Sequence, residues 1–220
     1  FTNSGTMLAQ VLGETGSATA ITDRSNTLAT ITNYGTLVAR NVTTDADPTD
    51  GIPPPPITGT STAIDVSTST IGVTFNQIPD VLFTDDDGVD DDAGLRPAIH
   101  TVGDIKFGSG ADAVNLLAGT IAGDISFGAG ADAMTVDNGS TFTGRISDSD
   151  GALTLNVVNG VLSLQGGETD ITSATFGANG QLQALLAASS SERTLIVAAV
   201  KITFDACARA VTRVPTRLRT

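Results

Sequence analysis

Two aspartates in glycine-rich turns are the residues of this sequence whose type and spacing come closest to metal chemistry. Asp112 closes the stretch Gly108-Ser-Gly-Ala-Asp, and Asp132 closes its twin Gly128-Ala-Gly-Ala-Asp, 20 residues later. Both stretches follow most of the calcium-binding pattern G-G-x-G-x-D-x-U-x, in which turn carbonyls and a carboxylate hold the ion. A phenylalanine stands at the first glycine position of each copy. The pattern therefore favours aspartates that cap corners of the fold, with a calcium site as the alternative.

A second group of oxygen ligands lies in the run Thr84-Asp-Asp-Asp-Gly-Val-Asp-Asp-Asp-Ala-Gly94. Asp85 and Asp87 are its calcium candidates, because Ca²⁺ prefers carboxylate and carbonyl oxygens. The run lacks the D-x-D-x-D-G-x₅-E spacing of an EF-hand. The favoured interpretation is a solvated acidic loop that opposes aggregation, and no other cofactor is predicted.

Catalytic groupings are sparse. Stacked repeats would bring Asp104 near Asp124, and paired carboxylates of this kind serve polysaccharide-degrading enzymes. Such clefts usually carry aromatic side chains for sugar, but the chain has one Tyr and no Trp. His100 has no metal-ligating neighbour, and Cys207 has no histidine close in sequence. We therefore predict no catalytic residue, and a protein that is not an enzyme.

The segments that position these aspartates are a repeat. Residues 103–122 are followed directly by a near copy at 123–143, and a decayed third copy occupies 144–164. Within each copy, apolar residues such as Ile105 and Phe107 alternate with polar or small ones, which is typical of strands with one buried face. Glycines between the strands suit tight corners. A fixed period of about 20 residues with short strands predicts an all-β, single-stack β-solenoid.

The rest of the chain fits the same architecture. The phrase Asn-x-Gly-Thr recurs at Asn3 and Asn33, and stacked turn asparagines are expected to form a side-chain amide ladder. A four-proline run and the aspartate run interrupt the pattern, so we predict loop excursions at about 45–62 and 84–98. We expect one solenoid over 1–220, with a basic C-terminal tail at about 206–220.

Charge narrows the range of partners. The formal net charge of −13 argues against nucleic acid and against adsorption to anionic lipid, because both need a basic surface. No apolar run is long enough for a transmembrane helix, so no membrane insertion by this chain is predicted. Six of the 11 basic residues lie after residue 192, whereas 23 of the 24 acidic ones lie before residue 193. An acidic body with a basic end favours head-to-tail self-association.

Three phrases carry a family resemblance: Gly-Asp-Ile-x-Phe-Gly-x-Gly-Ala-Asp, Asn-x-Gly-Thr-Leu-x-Ala and Leu-Gln-Gly-Gly-Glu-Thr-Asp-Ile. They resemble the passenger region of autotransporter (type V secreted) proteins of Gram-negative bacteria, over about 1–44 and 100–205. The resemblance implies a right-handed parallel β-helix that is extracellular or on the outer cell surface. The expected function is a non-catalytic structural or adhesive rod, stacking end to end or contacting a host-surface or matrix ligand. The alternatives are a calcium-dependent binding module and, third, a polysaccharide-degrading β-helix.

Overall fold

The chain winds as a parallel β-solenoid, which confirms the predicted fold class. The computed structural model describes residues 1–43, 54–79, 98–185, 194–204 and 209–213, and all the regular elements of these ranges are strands. Each coil contributes one strand to each of three stacks, and neighbouring strands of a stack run parallel. None of the described segments is a helix of membrane-spanning length and apolarity.

The three stacks take the strands in turn. Stack 1 holds β1 (Thr2–Asn3), β4 (Thr30–Asn33), β7 (Thr74–Gln77), β10 (Ala113–Leu116) and β13 (Ala133–Val136). Stack 2 holds β2 (Thr6–Leu12), β5 (Thr36–Val42), β8 (His100–Val102), β11 (Thr120–Ala122) and β14 (Ser140–Gly144). Stack 3 holds β3 (Ala18–Thr22), β6 (Ser61–Asp65), β9 (Asp104–Lys106), β12 (Ile125–Ser126) and β15 (Ile146–Ser147).

Later strands are longer and run from one stack into the next. They are β16 (Thr154–Leu164), β17 (Gly167–Leu185), β18 (Thr194–Phe204) and β19 (Arg209–Arg213). The first half of β16 pairs with β13 and its second half with β14, so it joins stacks 1 and 2 into one sheet. Beyond it, β17 pairs with β16, β18 and β19. The segment expected as a basic tail therefore contributes a strand, β19, to the solenoid.

Coil length separates two parts of the molecule. In the repeat region, Ala113 pairs with Ala133 and Ala133 with Thr154, which are coils of 20 and 21 residues. Earlier coils are longer, since Thr30 pairs with Thr74, which lies 44 residues on. Half of the first predicted excursion (45–53) and nearly all of the second (84–97) lie outside the described residues, and the flanking strands keep their places in the stacks. The predicted 20-residue rung is thus confirmed for the repeat region, and the right hand of the coil stays a prediction.

The interior is built from apolar columns. Alternate side chains of a strand point inward, and the parallel register places Val114, Met134 and Leu155 over one another, each at most 1% exposed. Phe107 and Phe127 stack in the same way, with ring centroids 5.4 Å apart and planes 13° from parallel. Because each coil packs on the one before it, the buried core is continuous from Ile21 to Phe176.

A column of amides lines the corner between stacks 1 and 2, and we call it the amide corner (Asn3, half-buried, and Asn33 and Gln77, buried). Asn3 Nδ2 donates to Asn33 Oδ1 at 2.8 Å. Asn33 Nδ2 in turn donates to Gly35 O at 2.9 Å and to Gln77 Oε1 at 3.3 Å. Gln77 Nε2 continues the column by donating to Ala118 O at 2.8 Å. The predicted asparagine ladder is confirmed, and a glutamine extends it.

Candidate functional site

The glycine-rich turns form the corner between stacks 3 and 1, just before the stack 1 strands. Gly128 has a φ of +81°, which favours glycine, and a Cβ there would collide with the carbonyl oxygen of Gly108 one coil earlier. This close stacking fixes the turn that ends at Asp132. Since Ala113 pairs with Ala133, Asp112 and Asp132 stand at equivalent places in consecutive coils.

Four aspartates meet at this corner, and we call it the carboxylate corner (Asp112, Asp132, Asp148, Asp150). Asp112 Oδ1 accepts the backbone N–H of Val73 at 2.7 Å, and Asp132 Oδ1 accepts that of Asp112 at 2.7 Å. In each case the carboxyl group reaches back to the preceding coil. The backbone N–H that it accepts there lies at a turn of the chain, between two ladders of backbone hydrogen bonds. Asp112 and Asp132 are therefore corner caps.

The third coil supplies its two aspartates from different positions. Asp148 Oδ2 accepts the N–H of Leu153 at 2.9 Å, within its own turn. Asp150 Oδ2 accepts the N–H of Gly130 at 3.0 Å, one coil back. The carboxylate corner therefore spans three consecutive coils.

Burial leaves several carboxyl oxygens of this corner without partners. Asp112 is 1% exposed and Asp132 is 2% exposed. Among the described residues, the buried side-chain oxygens that lack a hydrogen bond are Asn41 Oδ1, Asp112 Oδ2, Asp132 Oδ2 and Asp148 Oδ1. Three of these four atoms belong to the carboxylate corner. A buried polar atom without a partner is costly, and a buried charge more so.

The electrostatics follow from this burial. Loss of solvent raises the pKa of Asp112 to about 6, and the nearby Asp132 adds to the rise against the capping N–H of Val73. Burial, with the charges of Asp148 and Asp150, also raises the pKa of Asp132. The pKa of Asp148 is raised by burial and by Asp150. The corner thus disfavours a full set of negative charges.

The carboxylate corner can be considered both as a metal site and as a catalytic site. No group of three or more His, Cys, Asp or Glu side chains is placed to hold a metal ion in the part of the chain that the structure describes. Calcium binding by Asp112 and Asp132 stays the untested alternative, and the contacts that these side chains make are the caps that the sequence favoured. Their burial also leaves no access for a substrate. The chemistry open to the corner is hydrogen bonding and the uptake of protons.

The other predicted acidic pair faces solvent. Asp104 and Asp124 lie in consecutive coils of stack 3, and the N–H of Asp124 donates to Asp104 Oδ1 at 3.0 Å. With Lys106 and Arg145 they border a shallow depression of about 190 Å³. This volume is smaller than the roughly 300–1,000 Å³ of a typical ligand pocket. The structure brings the pair together, as the stacking predicted, in an open groove and not in a cleft.

The remaining candidates are scattered. His100 begins β8, and its Nδ1 lies 3.1 Å from the carbonyl oxygen of Ala98. Asp85, Asp87 and Cys207 lie outside the described residues.

Sequence reasoning missed Asp148 and Asp150. The third repeat copy carries Leu153 at the position that pairs with Asp132, so alignment of the copies hides these two acids. The signal that would have found them is the pair of aspartates in Asp148-Ser-Asp150-Gly, read as part of the same turn.

Comparison of the chain with protein-family models, with curated proteins and with solved structures found no match.

Proposed function

We propose that this chain is a non-catalytic structural rod of the autotransporter-passenger kind, displayed on the outer surface of a Gram-negative bacterium, whose copies stack end to end. The observation that carries the proposal is the first described coil, whose strands pair on one side only and whose inward side chains are less buried than those of the second coil. The repeat-level resemblance described above supports the surface location.

The first coil exposes side chains whose equivalents are buried one coil later. Met7 and Ala9 of β2 are half-buried, whereas their register partners Leu37 and Ala39 are fully buried. On the outer side of the same strand, Leu8 is 50% exposed and Leu12 is 67% exposed. Covering this apolar surface with another coil would be favourable, at about 25 cal/mol per Å² removed from water.

The first and the last described coils of this chain both offer backbone hydrogen-bonding groups. Among the described residues, β1, β2 and β3 each pair with a single strand, on the side of the second coil. At the other end, β18 and β19 pair with β17 alone in the same part of the chain. Every pairing is parallel, so the leading edge of one copy has the polarity needed to continue the trailing edge of another. Such a contact joins different surfaces and extends without closing.

Charge and site geometry agree with this assignment. Six of the 11 basic residues lie in the last 28 positions of an otherwise acidic chain, which favours head-to-tail over head-to-head contact. The buried aspartates are closed to substrates, and Asp104 and Asp124 each accept a backbone N–H from the next coil. These observations support a scaffold over an enzyme.

Negative-stain electron microscopy and sedimentation across a concentration series test the proposal. We expect filaments with an axial repeat near ~40 Å, the rise of about eight coils at ~4.8 Å each. The double variant Leu8→Lys/Leu12→Lys should shorten or abolish them, because charged edges oppose strand addition. Val158→Lys is the matched control, since Val158 is an exposed apolar residue away from the first coil. Short monodisperse rods at every concentration, or equal loss of filaments in the control, would refute end-to-end stacking.

A further inference from the structure

We propose that the carboxylate corner is a proton-binding site: Asp112, Asp132 and Asp148 hold protons in the folded state, so the solenoid is more stable in mild acid than at neutral pH. The ligand of this site is the proton. The inference goes beyond the proposed assembly and does not depend on it.

Hydrogen-bond counting is the first argument. Each of these three side chains uses one oxygen to accept a backbone N–H and keeps the other buried without a partner. A carboxylate has no proton to donate, so a column of ionised carboxylates cannot satisfy its own free oxygens. A protonated carboxyl group carries an O–H donor that an ionised one lacks. Protonation therefore removes a buried charge and gives the corner a hydrogen-bond donor.

The surrounding charges are the second argument. The turn that packs on Asp112 from the preceding coil, residues 66–73, contains no charged residue. The following coil contributes Asp148 and Asp150, and the next strand, β17, contributes Asp170 opposite Gly151. No lysine, arginine or histidine is among the groups whose charge acts on Asp112, Asp132 or Asp148. With only carboxyls facing one another, removal of negative charge is favourable.

The direction of the pH effect follows by linkage. The pKa of Asp112 is about 6 in the folded chain against an ordinary value of 3.8, so the folded state binds its proton more tightly than the unfolded state does. The stabilisation is fully present below about pH 3.8 and is lost as the pH rises through about 6. The raised pKa values of Asp132 and Asp148 act in the same direction. The contribution of the carboxylate corner to stability is therefore smaller at neutral pH than in mild acid.

Thermal unfolding from pH 4 to 8, followed by circular dichroism at low protein concentration, tests the inference. We expect the wild-type Tm to be higher at pH 5 than at pH 7.5 by about 4 °C or more. Asp132→Asn keeps the capping oxygen and adds two N–H donors, so it should raise the Tm at pH 7.5 and flatten the profile. Asp104→Asn is the matched control, an aspartate that caps an N–H in the same way but on the open face, and it should leave the profile unchanged.

Carboxyl ¹³C titration of the wild-type protein by NMR gives a second measurement that needs no variant to fold. One aspartate signal titrating near pH 6, with two further ones titrating above the ordinary value of 3.8, would support the inference. A Tm that does not fall between pH 5 and 7.5, or aspartate signals that all titrate near pH 4, would overturn it. So would a calcium-dependent rise in Tm at pH 7.5 that Asp132→Asn abolishes, since the corner would then bind a cation in place of protons.

Discussion

The amide corner and the carboxylate corner are two buried polar columns of one solenoid that solve the same problem differently. Both run along the stack where strands turn, and both use side chains to satisfy backbone groups that the ladders leave out. In the amide corner, Asn33 accepts from Asn3 and donates to Gln77, so each coil is linked to the next. In the carboxylate corner, Asp132 accepts from the backbone of Asp112 but has nothing to donate.

The difference shows which polar side chains can be repeated in a buried column. An amide carries a donor and an acceptor on one rigid group, so identical copies pair coil after coil without charge. A carboxylate accepts only, so each added copy brings a free oxygen and a repulsive charge. The unpartnered oxygens Asp112 Oδ2 and Asp132 Oδ2 are the result. A column of acids therefore depends on pH, whereas a column of amides does not.

The largest expected effect comes from the apolar core between the corners. Phe127→Ala removes a fully buried ring that stacks on Phe107, and it should lower the free energy of unfolding by about 3–5 kcal/mol. The loss should be equal at pH 5 and pH 7.5, because no titrating group is touched. Urea denaturation at both pH values measures it, with the exposed Val158→Ala as a control near zero. A loss confined to one pH would mean that the core is coupled to the carboxylate corner.

The second-largest expected loss of stability comes from a substitution that places a carboxylate in the amide corner. Asn33→Asp places a carboxylate at a position with no exposure, where the amide nitrogen donated to Gly35 O and Gln77 Oε1. We expect a loss of about 3 kcal/mol at pH 7.5, partly recovered at pH 5 as the new carboxyl group takes up a proton. Urea denaturation at the two pH values is the measurement.

Asn138→Asp is the control for this conversion. Asn138 is exposed and has a φ of +54°, which aspartate tolerates as well as asparagine does. The control should change stability little at either pH. If Asn33→Asp were equally destabilised at both pH values, the proposed contrast between amides and acids would fail.

The smallest effect has the opposite sign and comes from Asp23, a half-buried acid outside both corners. Hydrogen bonds from the side chain and backbone of Ser25, with a further one from Leu28 N–H, lower the pKa of Asp23 to about 2. Its contribution is present above pH 3.8 and is lost as the pH falls through about 2. Asp23→Asn should lower the Tm slightly at pH 6 and by less near pH 2. A circular dichroism melt at each pH would show it, and a larger effect in acid would contradict the assignment.

The repeat made much of this architecture predictable. A period of 20 residues places Asp112 over Asp132 and Asp104 over Asp124 whatever the details of the turns, and both juxtapositions are found. The recurrence of Asn-x-Gly-Thr similarly predicted the contact of Asn3 with Asn33. Parallel register turns a sequence offset directly into a neighbour in space, which is why these pairs needed no further information.

Other contacts could not be predicted from the sequence, for physical reasons. Gln77 joins the amide corner across 44 residues that include a predicted excursion, so no fixed period leads from Asn33 to it. Asp148 and Asp150 enter the carboxylate corner from positions out of phase with the repeat. Which oxygen stays unpartnered depends on side-chain direction at a turn, and spacing alone does not determine that.

The unequal coil lengths have a consequence for protein engineering. Strands of one stack keep their parallel register whether a whole coil is 19 or 44 residues long. The entropic cost of a longer connection grows only with the logarithm of its length, by about 0.6 kcal/mol for each doubling. The solenoid should therefore tolerate grafted peptides. An epitope or affinity tag inserted between Val42 and Ser61 would be displayed without changing the strand register of the coils on either side.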